Sequence, residues 1–413
     1  METAWLPRAV LLLVLLLFAA GMGFSRALAL ALALLAAGAH GQEHPQAALR
    51  GLGALYQGGI KAARKGHPLH PQILAGSREA AYTYEQPLGD ALCFRVNGEE
   101  ICSTADTTKD DINSALADLD TSFRTPDFAI IGYSQGGTTF FSQLLYRHSK
   151  VGKTCHAPRE DHFFDKLSFS PIEALRKARH NKESVDITKY FKCMAHGEDV
   201  LVGDYTPRYV YSDSIIPVWM RAVNPDLKII VLLRDPIKRT YSRYAMRGGD
   251  GACASNIDQD LCKHHFSSYI REDIEYLRKY CKGVEDPDNM FLPYSCAGRR
   301  HTKNTPDTIL SSLYGHHLGF WLSVFPKEQF LFVHSEDVFS DPQNAIDKTS
   351  DFLGIPREPV VSKSSSKVRH NSHKRSSTGS MDEEAVELLK EFFAPTLQRA
   401  YELTGIRLYK DKN

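Results

Sequence analysis

Neither sign of charge prevails: 50 lysines and arginines face 49 aspartates and glutamates among 413 residues, a formal net charge of +1. A bulk electrostatic grip on nucleic acid is therefore not expected, although a local basic pocket is compatible with such a balance. No Cys-x-x-Cys occurs, so a zinc ribbon is not expected, and the chemistry read below needs no metal. No Asn-x-Ser/Thr acceptor is present, so N-glycosylation is not expected. An internal repeat and a Gly-x-x-x-x-Gly-Lys-Ser/Thr phosphate loop are missing too. Composition is otherwise ordinary, 43% hydrophobic and 24% charged, which excludes a disordered or collagen-like chain. The length exceeds a usual single core, so one large domain with appendages, or two domains, is expected.

The amino end departs from this average. Ala9 to Phe24 is unbroken apolar sequence, Ser25-Arg26 interrupts it, and Ala27 to Ala39 is apolar again. Together the two runs suffice to span a bilayer. The reading adopted is a signal-anchor with the bulk of the chain in the secretory lumen. A cleaved signal is the alternative, because Ala37-Gly38-Ala39 is a small-residue cleavage pattern. Eight cysteines agree with that route, falling into neighbouring pairs: Cys93/Cys102, Cys155/Cys193, Cys253/Cys262 and Cys281/Cys296. An even count after a secretory start favours disulfides, with Cys253/Cys262 and Cys281/Cys296 preferred; connectivity stays open.

Residues 1–40 thus read as anchor or signal, 41–126 as stem and lead-in, and 127–413 as the working domain. Within the last, Phe128 to Gly132 is a short apolar run, and Thr139 to Leu145 has helical spacing. Leu227 to Leu233, Lys228 apart, and Gln329 to Val333 suit buried parallel strands. Leu313 to Phe325 carries a helical pattern, and Asp382 to Leu403 closes the chain as a capped helix in which Pro395 marks a break or restart. Strands alternating with helices predict an α/β fold, a parallel sheet covered on both faces.

The loop Gly132-Tyr133-Ser134-Gln135-Gly136-Gly137-Thr138-Thr139 supports two enzymes. Gly132-x-Ser134-x-Gly136 is the nucleophile elbow of serine hydrolases, with Ser134 as nucleophile. The second reading is a phosphate cradle: glycines after a strand let backbone N–H groups converge on an anion, helped by the next helix's N-terminus and by the Thr138 and Thr139 hydroxyls. Elsewhere, Arg234 ends a buried strand and Ser242 follows two helical turns on. Together they suit a second phosphate, which a hydrolase does not need.

These residues resemble the sulfotransferases that use 3′-phosphoadenosine 5′-phosphosulfate (PAPS), in particular the Golgi carbohydrate enzymes of the heparan sulfate type. The likeness runs from Asp127 to Gly405. It implies a P-loop-like parallel sheet and a 5′-phosphosulfate loop at Gln135, Gly136, Gly137, Thr138 and Thr139. It also implies a 3′-phosphate clamp of Arg234 and Ser242, and a basic loop of Lys374 and Arg375 closing over the donor. Arg159 to Asp165 is similar to the segment that supplies the catalytic glutamate, so Glu160 is the expected base, oriented by His162 and Asp165. The implied acceptor is a glycan or small hydroxylated molecule, and the implied setting is the Golgi membrane, single-pass, with a lumenal catalytic domain, or secretion if the signal is cleaved. Two departures stand out. Gln135 occupies the place of a lysine that stabilises the departing oxygen, and Tyr205 that of another lysine. An inactive, binding-only relative is therefore a further alternative beside the hydrolase. Tyr205 and Tyr209 read equally as substrate-stacking or as core aromatics.

Overall fold

The structure is a computed structural model and describes residues 91–165, 184–195, 197, 199–246, 266–281, 283–290, 308–360 and 381–408. All belong to one compact unit, His70–Asn413. Strands β1 (Leu92–Val96) and β2 (Glu99–Ser103) form a hairpin closed by Asn97-Gly98, both at positive φ as a two-residue primed turn requires. The Cys93–Cys102 disulfide joins residues directly opposite in this ladder. Helix α1 (Lys109–Leu119) starts with a Thr108/Asp111 capping box and buries Ile112 and Leu116. Part of the lead-in is therefore folded onto the same core as the domain that follows it.

The chain then runs through β3 (Phe128–Gly132), α2 (Thr138–Leu145), β4 (Val185–Asp186), α3 (Thr188–Met194), β5 (Gly203–Tyr205), α4 (Tyr209–Ser212), α5 (Ile215–Val223), β6 (Lys228–Leu233) and α6 (Pro236–Met246). It continues through α7 (Phe266–Tyr280), α8 (Tyr314–Val324), β7 (Phe330–His334), α9 (Ser335–Ser340), α10 (Pro342–Leu353) and α11 (Glu383–Thr404). Strand order is β5-β3-β6-β7, all parallel, while β4 pairs with β1 in a separate small sheet.

Alternation along the central strands divides the core in two. Ala129, Ile131, Ile229, Val231 and Leu233 face a cluster that includes α5 and α8 residues such as Trp219 and Trp321. Phe128, Ile130, Ile230 and Leu232 face α2 and α10 through Phe141, Leu144 and Ile346. Helices thus cover both faces, as the run of buried residues in β6 predicts. Fully burying each such side chain stabilises by about 1.5–3 kcal/mol. Lys228, the odd residue of its run, donates Nζ to the Phe352 and Leu353 carbonyls at 2.9 and 3.0 Å, capping α10.

Pro395 neither breaks nor restarts the last helix; α11 runs through it. Phe392, Phe393, Thr396 and Ala400 are buried on either side, and that burial outweighs the missing backbone donor. The Cys155–Cys193 disulfide forms, and Cys281 is disulfide-bonded as well. Cys253, Cys262 and Cys296, with both amino-terminal apolar runs, lie outside the described residues. Among those described, no helix is long and apolar enough to cross a membrane.

Candidate active site

β3 delivers the glycine loop to the carboxyl end of the sheet, where it turns into α2. Gln135 and Gly137 take positive φ, 64° and 85°. A Cβ at Gly136 would lie 2.7 Å from the Tyr133 carbonyl, and one at Gly137 2.6 Å from Phe339 Cζ, so both positions demand glycine. Gly137 is the N-cap of α2 and offers no side-chain cap. The first-turn N–H groups, including those of Thr138 and Thr139, therefore remain donors at the positive end of the helix. The amide of Gln135 is turned aside, its Nε2 3.6 Å from Met246 Sδ.

β6 lies beside β3, and Arg234 follows it directly. Its Nη1 donates to the Gln135 carbonyl at 2.7 Å, so the two expected phosphate sites meet on adjacent strands. Arg234 Nε is buried without an acceptor, and burial lowers the proton affinity of the guanidinium. A buried donor of this kind matches an anionic ligand. Asp235 makes no hydrogen bond to that guanidinium: its Oδ1 accepts from Ile237 and Lys238 N–H at 2.8 and 3.2 Å, and its charge, like that of Glu336, acts on Arg234 only through space. Ser242 sits half-buried on α6. Lys374 and Arg375 lie outside the described residues.

Glu160, His162 and Asp165 converge on one another. His162 Nε2 is 2.8 Å from Glu160 Oε2, and Nδ1 is 2.9 Å from Asp165 Oδ2. Hydrogen bonds to Asp165 and then Glu160, opposed by burial, raise the imidazole to about 9. The backbone is fixed by β5: Asp161 N donates to the Tyr205 carbonyl at 2.9 Å, and Tyr205 N returns a bond to Asp161 Oδ2 at 2.8 Å. His162 N donates to Thr206 Oγ1 at 3.0 Å.

Tyr205 joins this acidic loop to the glycine loop. Its hydroxyl donates to Thr139 Oγ1 at 2.9 Å, and the residue is 1% exposed. Burial, only partly offset by hydrogen bonds to Thr139 and Thr138, pushes the phenol up to about 12, so it stays a donor. Because Thr139 Oγ1 accepts from Tyr205, its own proton is left to point elsewhere.

A sulfotransferase domain model matches residues 125–392, more than half of the chain. The chain belongs to the sulfotransferase domain family. The chain is 26% identical over 308 residues to heparan sulfate glucosamine 3-O-sulfotransferase 6 of Homo sapiens, covering 68% of the chain and 72% of the relative. It is 24% identical over 311 residues to carbohydrate sulfotransferase 15 of Mus musculus, covering 65% and 52%. It thus spans from about half to nearly three-quarters of the length of these curated relatives. Among solved structures it resembles a sulfotransferase from Alicyclobacillus acidocaldarius, with a TM-score of 0.46 at 20% identity, over 69% of this chain and 96% of that one.

Ser134 is 8% exposed and its Oγ accepts from the Tyr211 hydroxyl at 2.9 Å. The candidate nucleophile of a hydrolase thus faces a tyrosine, where that chemistry needs a basic imidazole. Tyr205 and Tyr209 resolve to core residues, 1% and 0% exposed. Tyr209 receives the Phe163 and Phe164 N–H groups at 3.1 Å each and donates to Asp204 at 3.0 Å. Thr206 and Tyr190 also donate to Asp204, and burial raises its carboxyl well above the usual range. The sequence reading missed this network and Arg239. An acid followed by a tyrosine and a threonine in Asp204-Tyr205-Thr206 was the available signal for the first, and an arginine three residues before Ser242 for the second.

Proposed function

We propose that this sulfotransferase moves a sulfuryl group from PAPS to a hydroxyl of a carbohydrate or similar acceptor. One observation carries the reading: the glycine loop touches Arg234 on one side and, through Tyr205, the Glu160 loop on the other. A donor with phosphates at both ends of its ribose and an acceptor base are the pair of ligands such a junction fits. The donor supplies an activated sulfuryl group; the protein supplies position and charge.

In this scheme the N–H groups of Gly137 to Thr139 and the hydroxyls of Thr138 and Thr139 hold the 5′-phosphosulfate, with Gln135 and Gly136 shaping the loop beside them, since the Gly136 N–H already donates to the Tyr133 carbonyl at 2.9 Å, and Arg234 and Ser242 hold the 3′-phosphate. Lys374 and Arg375 close over it. Glu160 takes the proton as the acceptor oxygen bonds to sulfur and the bond from sulfur to the bridging oxygen breaks, leaving 3′-phosphoadenosine 5′-phosphate (PAP). His162 and Asp165 hold Glu160 in place. Residues 1–40 anchor the chain in the Golgi membrane, or direct its secretion if cleaved, and 41–90 are a stem. The oxidised pairs Cys93–Cys102 and Cys155–Cys193 support a lumenal setting.

The test is direct. The purified chain, given sulfate-labelled PAPS and a panel of glycans and small hydroxylated acceptors, is expected to transfer label and to bind PAP saturably. Binding without transfer to any acceptor would make it a binding-only relative; neither would end the proposal. Tyr205→Phe removes only the hydroxyl on Thr139. It is expected to lower kcat about tenfold, the cost of one hydrogen bond of roughly 1.4 kcal/mol, with little change in KM for PAPS. Wild-type turnover in that variant would show that the Thr139 hydroxyl needs no orienting.

A further inference from the structure

We propose that Arg239 is a positioning residue that supplies, from beneath the donor loop, the positive charge that Gln135 does not bring. The inference rests on the donor chemistry proposed above. Arg239 is 0% exposed, one of the largest fully buried side chains described. Its Nε donates to the Ser134 carbonyl at 2.9 Å, Nη1 to Ser312 Oγ at 2.7 Å and Nη2 to Ser311 Oγ at 2.9 Å. Its guanidinium carbon lies 5.8 and 5.6 Å from the ring centroids of Tyr133 and Tyr211.

Every one of these acceptors is neutral. Removing a cation from water costs several kcal/mol unless an anion compensates it, and two π faces with three neutral oxygens recover only part of that. The other titratable groups facing Arg239 do not compensate either. His317 is held neutral first by burial, with the neighbouring His316 and Arg239 acting in the same direction. Burial likewise keeps Tyr314 a neutral phenol. Arg234 is a second cation, which Arg239 further destabilises. Asp235 faces the same region, but its Oδ1 is turned to the two N–H groups that open α6 and its carboxylate makes no hydrogen bond to the Arg239 guanidinium, so it acts only through space. Among the described residues no carboxylate is bonded to this charge, which lies directly under a loop suited to receive an anion.

The contact also sets the loop's polarity. Carbonyl and N–H point in opposite directions across a trans peptide. Drawing the Ser134 carbonyl down onto Arg239 turns the Gln135 N–H to the opposite side. Arg234 draws the next carbonyl, that of Gln135, onto the second guanidinium. The negative ends of two successive peptide units are thus pulled away from the helix start that would hold the phosphosulfate.

The experiment uses the full chain with PAPS and any acceptor the wild type sulfates. Arg239→Gln, checked for folding by its thermal melt, is expected to lower kcat by about 100-fold, as loss of one preorganised charge donor does. Adding Gln135→Lys in the same chain should recover at least about tenfold of that loss, because charge returns at the neighbouring position. A role confined to packing would not be rescued from Gln135. Arg239→Lys provides the second line: a lysine in so dry a site gives up its proton far more readily than arginine. The alkaline fall of turnover should therefore move to lower pH in that variant. A folded Arg239→Gln with turnover within about threefold of wild type would overturn the proposal. So would absence of the Gln135→Lys rescue. If Arg239→Gln does not fold, an Arg239→Lys profile superimposable on the wild type's overturns it alone. Failure of the donor reading is distinguishable, since the wild type would then neither bind PAP nor transfer sulfate.

Discussion

Glu160→Gln is expected to lower kcat by about 10²–10⁴-fold, the usual worth of general base catalysis, with PAP affinity essentially unchanged. Glutamine keeps the shape and one carbonyl oxygen for His162 but cannot take the acceptor's proton. Glu160 is within reach of an incoming hydroxyl because its side chain is 30% exposed, whereas Asp165, the other carboxylate on His162, is 1% exposed. Single-turnover transfer with bound PAPS is the measurement, and full turnover in the variant would remove Glu160 from the role. The same triad predicts a pH limb. His162 is held protonated up to about 9 by Asp165 and Glu160. Once it is neutral, one ring nitrogen presents a lone pair to a carboxylate, so turnover should fall as pH rises through about 9. Asp165→Asn should move that fall toward 6.5, the ordinary histidine value. The stability linkage has the same sign. A folded-state pKa above the unfolded one gives stabilisation that is complete below the unfolded value and is lost as pH climbs through the folded one.

The sheet was legible because its strands are buried on both faces, and continuous apolar runs such as Ile229 to Leu233 carry that information without partners. The glycine loop was legible because part of its demand is local: Gly136 lies against the Tyr133 carbonyl three residues back and Gly137 takes positive φ. What escaped was decided at long range. The Asn97-Gly98 hairpin was a readable turn, but the Gly, Ala, His and Pro content upstream of it makes 41–126 read together as stem and lead-in. Pro395 reads as a breaker until the burial of Phe393 and Thr396 around it is known. Tyr205 and Arg239 are ordinary letters in sequence. Their meaning comes from Thr139, 66 residues away, and from the Ser134 carbonyl, 105 residues away. Spacing cannot report a contact that the crossover connections of a parallel sheet create.

Arg234→Ala is expected to weaken PAP binding by about 10²–10⁴-fold, because a guanidinium bonded to phosphate contributes roughly 1.5–3 kcal/mol per charged hydrogen bond and two are available. Part of any loss would arise without phosphate contact, since Arg234 also holds the Gln135 carbonyl. A ligand comparison separates the two effects. Adenosine 5′-monophosphate lacks the 3′-phosphate but still needs the glycine loop. If Arg234 grips the 3′-phosphate, the wild type should prefer PAP over the monophosphate strongly, and the variant should lose nearly all of that preference. If Arg234 only props up the loop, both ligands should weaken together and the preference should survive. Ser242→Ala, which leaves the Arg234–Gln135 contact in place, should erode the preference by about tenfold, the worth of one hydrogen bond to a charged group. Equilibrium dialysis of the four protein–ligand combinations for each variant decides between a clamp and a prop. Preference retained in both variants would place the 3′-phosphate away from β6 and remove the reason for pairing the two loops around one donor.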